Sequence, residues 1–275
     1  MQNSVYNSCV MKVGIFYKEK KVPDQTVVTE LSEEISRRKN EAVIFRSPEE
    51  IAGVDRLIVL GGDGTILNAA HASSEQKIPL VGVNFGTRGF LTEFEREDYM
   101  QAVSLALDPA CPVVRRSMLE LDFNGVKTHC LNEMLLHRRV SGKPNAQIAT
   151  FCVDIDGSDA GELRADGLIV CTPTGSTAYS LSAGGNILAP DCAAFLITPV
   201  CAFSLRSRPI AYSDSCTLSF RFTDRDCTLE LYGDGKFIGE ASANDTLTVQ
   251  KSPRCAAFLT RDKNGFFRKI TEKIG

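Results

Sequence analysis

The apolar residues of this chain follow two different rhythms. Over the first hundred residues they come in short unbroken runs, separated by longer stretches with a helical repeat. "CVMKVGIFY" (9–17), "EAVIFR" (41–46), "DRLIVL" (55–60) and "IPLVGVN" (78–84) read as strands. Between the first two, "DQTVVTELSEEISRRKN" (24–40) places Val27, Val28, Leu31 and Ile35 on one helical face, with Asp24 as N-cap. A second helix is predicted to begin near Gly64 and a third over "REDYMQAVSLAL" (96–107). Nearly all-apolar strands alternating with helices predict a parallel sheet covered on both faces.

After Pro112 the rhythm shortens to two. "MLELDFNGVKTHC" (118–130) alternates and turns at Asn124–Gly125, a hairpin signal. "FCVDIDG" (151–157), "TLSFRF" (217–222) and "TLELYGDGKFIG" (228–239) alternate in the same way. The expected fold is an α/β N-terminal domain with a Rossmann-like parallel sheet, followed by a mostly antiparallel β domain. The change falls at "DPACPV" (108–113), which sets the expected domains at 1–110 and 111–254, with the tail of about 255–275 packing back on the first.

Composition narrows the function classes. The 275 residues carry a net charge of −3, so no basic surface for nucleic acid is expected. No apolar run is long enough to span a membrane, and the N-terminus has no basic-then-apolar leader pattern. The ten cysteines form no C-x-x-C pair, and the three histidines (His71, His129, His137) complete no zinc pattern. The cysteines read as small buried residues of a cytoplasmic protein.

Candidate chemistry begins at "LIVLGGDGTILNAA" (57–70), where an apolar strand stops at Gly61–Gly62 and Asp63 sits between glycines. Glycines ahead of a helix let the backbone approach phosphates, which the helix N-terminus favours. The loop is neither a G-K-[ST] phosphate loop nor a G-x-G-x-x-G turn. Asp63 either serves chemistry, binding Mg²⁺ or accepting a hydroxyl proton, or closes a tight turn on its own backbone. A second glycine-rich turn, "GVNFGTRGFL" (82–91), follows at the next strand end, where α/β proteins place ligands. Later, "ELRADGLIVCTPTGSTAYSLSAGGNILAP" (162–190) runs from Asp166 through a strand into a series of hydroxyls and a short helix ending in glycines. That suits close contact with a flat ligand and its ribose or phosphates; an ordinary capped strand–loop–helix connection is the simpler alternative. "LNEML" (131–135) sets Asn132 and Glu133 in an apolar, strand-like context.

Taken in order, "GGDGT", "GVNFGTRGFL", "NE", "RADGLIVCTPTGSTAYSLSAGG" and "SLRSRPI" (204–210) resemble the NAD kinase family over roughly residues 57–235. The glycine–aspartate turn alone also resembles diacylglycerol-kinase-like and phosphofructokinase-like proteins; the long strip is particular to NAD kinases. The resemblance implies phosphorylation of the 2′-hydroxyl of the adenosine ribose of NAD, with ATP as donor, Mg²⁺ as cofactor, and homodimers or homotetramers. It implies Asp63 as proton acceptor and Gly61, Gly62, Gly64 and Thr65 as the loop for the ATP phosphates. Asp63, Gly64, Asn132, Glu133, Arg164, Asp166, Thr174, Thr177, Ala178, Tyr179, Ser180, Leu181 and Ser182 correspond to dinucleotide contacts, and Asn68, Phe90, Gln147 and Lys236 to outlying ones. No metal ligand is assigned. Asn68 stands where relatives often carry a basic residue, Arg88 where they carry leucine, and Phe203 where "PHSL" has histidine. A lipid or sugar kinase sharing the turn, and a catalytically silent dinucleotide sensor, are the two rival readings.

Overall fold

The computed structural model describes residues 10–19, 25–87, 89–139, 148–222, 228–243, 245–262 and 264–274. Asp24, Arg88 and Gln147, singled out from the sequence, lie outside them. The chain forms two compact units, residues 1–115 with 256–275 and residues 116–255.

Unit one contains β1 (Lys12–Tyr17), α1 (Gln25–Arg37), β2 (Glu41–Phe45), β3 (Arg56–Gly61), α2 (Asp63–Gln76), β4 (Leu80–Asn84), the short β5 (Phe94–Glu95) and α3 (Gln101–Leu107). The strands pair in parallel in the order β2-β1-β3-β4. Val13, Ile15 and Tyr17 of β1 and Ile58 and Leu60 of β3 meet Val27, Val28, Leu31 and Ile35 of α1 in one core. Each such side chain taken from water contributes about 1.5–3 kcal/mol. The third helix is shorter than its pattern predicts: 96–98 form a 3₁₀ turn before α3 begins at Gln101.

Unit two runs through β6 (Val113–Phe123), β7 (Val126–Cys130), β8 (Glu133–Arg138), β9 (Ala149–Ile155), β10 (Ser158–Ala165), β11 (Gly167–Cys171), α4 (Tyr179–Ser182), β12 (Ala194–Val200), β13 (Ile210–Ser213), β14 (Leu218–Arg221), β15 (Leu229–Gly233), β16 (Lys236–Ala241) and β17 (Leu247–Leu259). One antiparallel sheet has the order β13-β12-β11-β8-β15-β16. A second antiparallel group joins β10, β9, β14 and β17, with β6 pairing β17 and β7. Leu136, Leu168, Val170 and Phe195 of the first meet Phe151, Val153, Leu218 and Val249 of the second in a common core.

Three hairpins close on two residues with positive φ: Asn124–Gly125 (53° and 85°), Asp156–Gly157 (49° and 77°) and Asp234–Gly235 (47° and 74°). Two consecutive left-handed residues make the tight turn that matches strand twist, which Asn-Gly and Asp-Gly adopt most readily. The end of β17 returns to unit one, where Phe258 pairs in parallel with Leu80, and α5 (Gly265–Ile274) follows. Among the described residues no helix is long and apolar enough to cross a membrane. None of the eight described cysteines is in a disulfide; Cys111, Cys130, Cys152 and Cys171 are buried as expected, whereas Cys192 and Cys201 are exposed.

Candidate active site

In unit one, β3 is buried to its last residue, and α2 starts at Asp63, one residue earlier than its sequence pattern suggests. Gly62, extended at ψ 179°, is the helix N-cap. The second glycine loop passes against it: a methyl added to Gly86 would lie 3.0 Å from the Gly62 Cα. That approach lets the Asp63 carboxylate reach sideways rather than back onto its own turn. Its Oδ2 accepts the Phe90 N–H at 3.2 Å and its Oδ1 accepts the Leu91 N–H at 3.0 Å. The self-closing turn left open by the sequence is therefore not what this aspartate makes.

The loop that holds Asp63 is itself fixed. Asn84, buried at the end of β4, accepts the Gly86 N–H on Oδ1 (2.9 Å) and donates from Nδ2 to Glu95 Oε2 (2.7 Å). Lys273 of α5 donates to the other Glu95 oxygen at 2.9 Å. Burial alone would raise the Glu95 pKa, but these hydrogen bonds outweigh it and hold the group ionised below its usual range. Asn84 and Glu95 were invisible as site residues in the sequence, because a buried asparagine announces itself only through its partners.

Gly64, in the first turn of α2, is exposed, and an added methyl there meets nothing within 4 Å. Access to the helix N-terminus is open at that point. Thr65 is instead buried, its side chain against Gly61, where a methyl would sit 2.6 Å from Thr65 Cβ. Asn68 donates to the Gly64 carbonyl at 2.9 Å, so its amide serves its own helix. Phe90 is half-buried and contributes its main-chain N–H.

In unit two, Asn132 and Glu133 form the bend from β7 into β8. From one side the TPTG loop packs on it: Thr172 donates from Oγ1 to the Leu131 carbonyl (2.6 Å) and from N to the Asn132 carbonyl (2.9 Å). Gly175 lies so close that a methyl there would stand 2.1 Å from Asn132 O. From the other side Asp234 accepts the N–H groups of Leu131, Asn132 and Glu133 at 2.7, 2.8 and 3.0 Å. Glu133 Oε2 is buried with no hydrogen-bond partner among the described residues. Burial pushes the Glu133 carboxyl up to about 8, helped by the charge of Asp234 and opposed by a main-chain hydrogen bond from Tyr179. At neutral pH this side chain is a carboxylic acid, able to donate.

The hydroxyl strip divides on inspection. Ser180 is fully buried and shares a 2.8 Å hydrogen bond with Thr198, and Thr177 bonds the Thr174 carbonyl at 3.2 Å. Thr174 is buried, Ala178 and Leu181 are half-buried, and Tyr179 and Ser182 are exposed. Lys236 is exposed at the start of β16. Arg164 and Asp166 lie elsewhere. In the β8–β11 register Cys171 faces Glu133 and Gly167 faces His137, so Asp166 belongs to the opposite strand end. Five residues of strand separate the two ends, roughly 17 Å at about 3.4 Å per residue. There Asp166 accepts from Arg138 Nε at 2.6 Å, and the Arg164 guanidinium stacks 5.0 Å over the exposed Phe203 ring.

Known proteins carry the same pieces. Residues 2–109 match the family model of the ATP-NAD kinase N-terminal domain, and residues 131–260 match that of the ATP-NAD kinase C-terminal domain. The NAD kinase of Methanothermobacter thermautotrophicus is 35% identical over 249 residues, 90% of this chain and 85% of that protein. The NAD kinase of Koribacter versatilis is 37% identical over 222 residues, 79% of this chain and 76% of that protein. Among solved structures, yeast NADH kinase complexed with NADH is similar with a TM-score of 0.81 at 26% identity, covering 98% of this chain and 89% of that one. An NAD kinase from Archaeoglobus fulgidus in complex with ATP gives a TM-score of 0.78 at 26% identity, covering 96% and 98%. Both halves thus fall within one class, the two-domain nucleotide kinases. The chain belongs to the NAD kinase family.

Proposed function

We propose that this protein transfers the γ-phosphoryl group of ATP to the 2′-hydroxyl of the adenosine ribose of NAD, giving NADP and ADP. The observation that carries the chemistry is the Asp63 carboxylate, aimed by the Phe90 and Leu91 N–H groups beside the open first turn of α2. Each carboxylate oxygen keeps a lone pair for a further proton. As the ribose oxygen forms its bond to the γ-phosphorus, its proton passes to Asp63 and the bond from phosphorus to the β–γ bridging oxygen breaks. General-base help of this kind is worth on the order of 10²–10⁴ in rate. Alignment of hydroxyl and phosphorus supplies much of the rest.

Gly61, Gly62, Gly64 and Thr65 form the phosphate loop in this reading: Gly64 leaves the helix N-terminus open, and Thr65 supports the loop from beneath. Among the described residues no group of three His, Cys, Asp or Glu side chains stands ready to hold a metal ion. Mg²⁺ would arrive on the triphosphate, since this ion prefers phosphate oxygens and water to a protein cage, and would offset phosphate charge. Asn132, Glu133, Thr174 and the segment Thr177–Ser182 are assigned to the dinucleotide, with neutral Glu133 donating a hydrogen bond. The buried Ser180 hydroxyl acts through packing, and Lys236 remains an outlying contact. Arg164 and Asp166 form a second polar cluster for the nucleotide. The exposed Phe203 and Leu205 beside them support association into homodimers or homotetramers.

The test incubates the protein with ATP, Mg²⁺ and either NAD or NADH, the acceptor of the yeast neighbour, and detects product with an NADP-specific dehydrogenase. NADP or NADPH formation is expected. Phosphorylation of a lipid or sugar in place of either dinucleotide would replace this reading with that of another kinase. Tight dinucleotide binding without product would leave a sensor.

A further inference from the structure

We propose that Asp234 is a positioning residue for the dinucleotide: its carboxylate gathers three successive main-chain N–H groups and thereby fixes the Asn132–Glu133 bend. The inference rests on the reading of Asn132 and Glu133 as dinucleotide contacts. Asp234 occupies the first left-handed position of the β15–β16 turn, where asparagine or glycine would serve the turn equally well. What those residues lack is an acceptor-only group able to take three N–H donors. Oδ2 accepts from Leu131, and Oδ1 accepts from both Asn132 and Glu133. The Asp234 N–H returns the contact to the Glu133 carbonyl at 2.9 Å. Cys130 and Leu131 are fully buried, so on that side water has no room to replace the carboxylate. Three adjacent N–H groups converging on one anion form a concave anion nest, here filled by the chain itself. With the main chain held this way, both side chains of the bend leave it in set directions.

The same carboxylate supplies the charge beside Glu133. The other groups facing Glu133 are the Tyr179 main-chain N–H from α4 and the thiols of Cys171 on β11 and Cys130 on β7. Burial keeps both thiols neutral, the Cys171 group being pushed up to about 12, and Lys236 acts on Cys130 from β16. Asp234 thus sets both the geometry of the bend and the ease with which Glu133 keeps its proton.

Asp234→Ala and Asp234→Asn test this in the full chain, with KM for NAD, KM for ATP, kcat and melting temperature measured together. Alanine is expected to raise KM for NAD on the order of tenfold to a hundredfold, leaving KM for ATP and kcat nearly unchanged. Asparagine keeps an acceptor for Asn132 and Glu133 but turns its amide N–H₂ toward the Leu131 N–H, so it should recover only part of that loss. By removing the charge it should also move the inflection in NAD affinity near pH 8 toward lower pH. A purely structural role predicts instead that kcat and both KM values worsen with the melting temperature and that the inflection stays; that result overturns the proposal. Should alanine prevent folding, the asparagine variant and amide hydrogen exchange in the native chain decide. Slow exchange at Leu131, Asn132 and Glu133 is expected, and loop-like rates there would refute the clamp. A wild-type chain that forms no NADP would end the kinase reading, while the exchange result would still judge Asp234.

Discussion

Burial raises the pKa of the Glu133 carboxyl to about 8, its Oε2 having no hydrogen-bond partner among the described residues, and the charge of Asp234 adds to the shift. The folded chain binds the carboxyl proton up to about pH 8, whereas the unfolded chain loses it near the ordinary glutamate value of 4.5. The resulting stabilisation is complete below the unfolded value and is lost as pH rises through the folded one. Between about pH 5 and about pH 9, the melting temperature of the ligand-free wild type should therefore fall relative to that of Glu133→Gln. Parallel curves for the two proteins would mean the carboxyl is ionised throughout. Asp166 is an ion-pair partner, accepting from the part-buried Arg138 at 2.6 Å. Asp166→Ala strands that guanidinium and is expected to cost on the order of 1–3 kcal/mol, read by denaturant unfolding.

At the level of elements, glycines mark where chains cross and where they leave room, and the two kinds answer differently to a methyl group. Gly175 lies under the Asn132 carbonyl, and the methyl of Gly175→Ala would have to displace main chain. That variant should lose about 1–3 kcal/mol and raise KM for NAD. Gly64→Ala meets nothing and sits in a helical turn, so it should gain about 0.5–1 kcal/mol. It should nonetheless raise KM for ATP, because the methyl occupies the approach to the helix N-terminus. Gains in both stability and ATP affinity would remove this loop from phosphate binding. Asn124–Gly125 was read as a hairpin turn from the sequence, whereas Asp-Gly at 156–157 and 234–235, which make the same turn, were read only as parts of alternating stretches. At 234–235 the aspartate does more than turn the chain, which no spacing along the sequence announces.

Across the whole molecule, the fold class was readable because each unit writes its burial into the sequence. Strands covered on both faces in unit one are unbroken apolar runs, and strands with one covered face in unit two alternate. What escaped has physical reasons. β10, "SDAGELRA", is mostly exposed and polar, and is a strand because β9 pairs with it. β12 carries Pro199 within the sheet, opposite Leu168, where proline normally argues against a strand. Within the candidate site, the glycine–aspartate loop was legible as chemistry, and the Asn–Glu pair only through its place among the other motifs. Of their supports, Asn84, Glu95 and Asp234 were not, and Thr172 was legible only as one of a run of hydroxyls, since each acts through a partner 11 to 103 residues away. Asp63→Asn tests the role of the Asp63 carboxylate most directly, with kcat for NADP formation measured beside NAD affinity and melting temperature. The variant should still fold and bind NAD, melting somewhat lower because its amide nitrogen faces one of the Phe90 and Leu91 N–H groups, while kcat falls on the order of 10²–10⁴. A variant that turns over NAD at close to the wild-type rate would contradict the assignment of this carboxylate as the base.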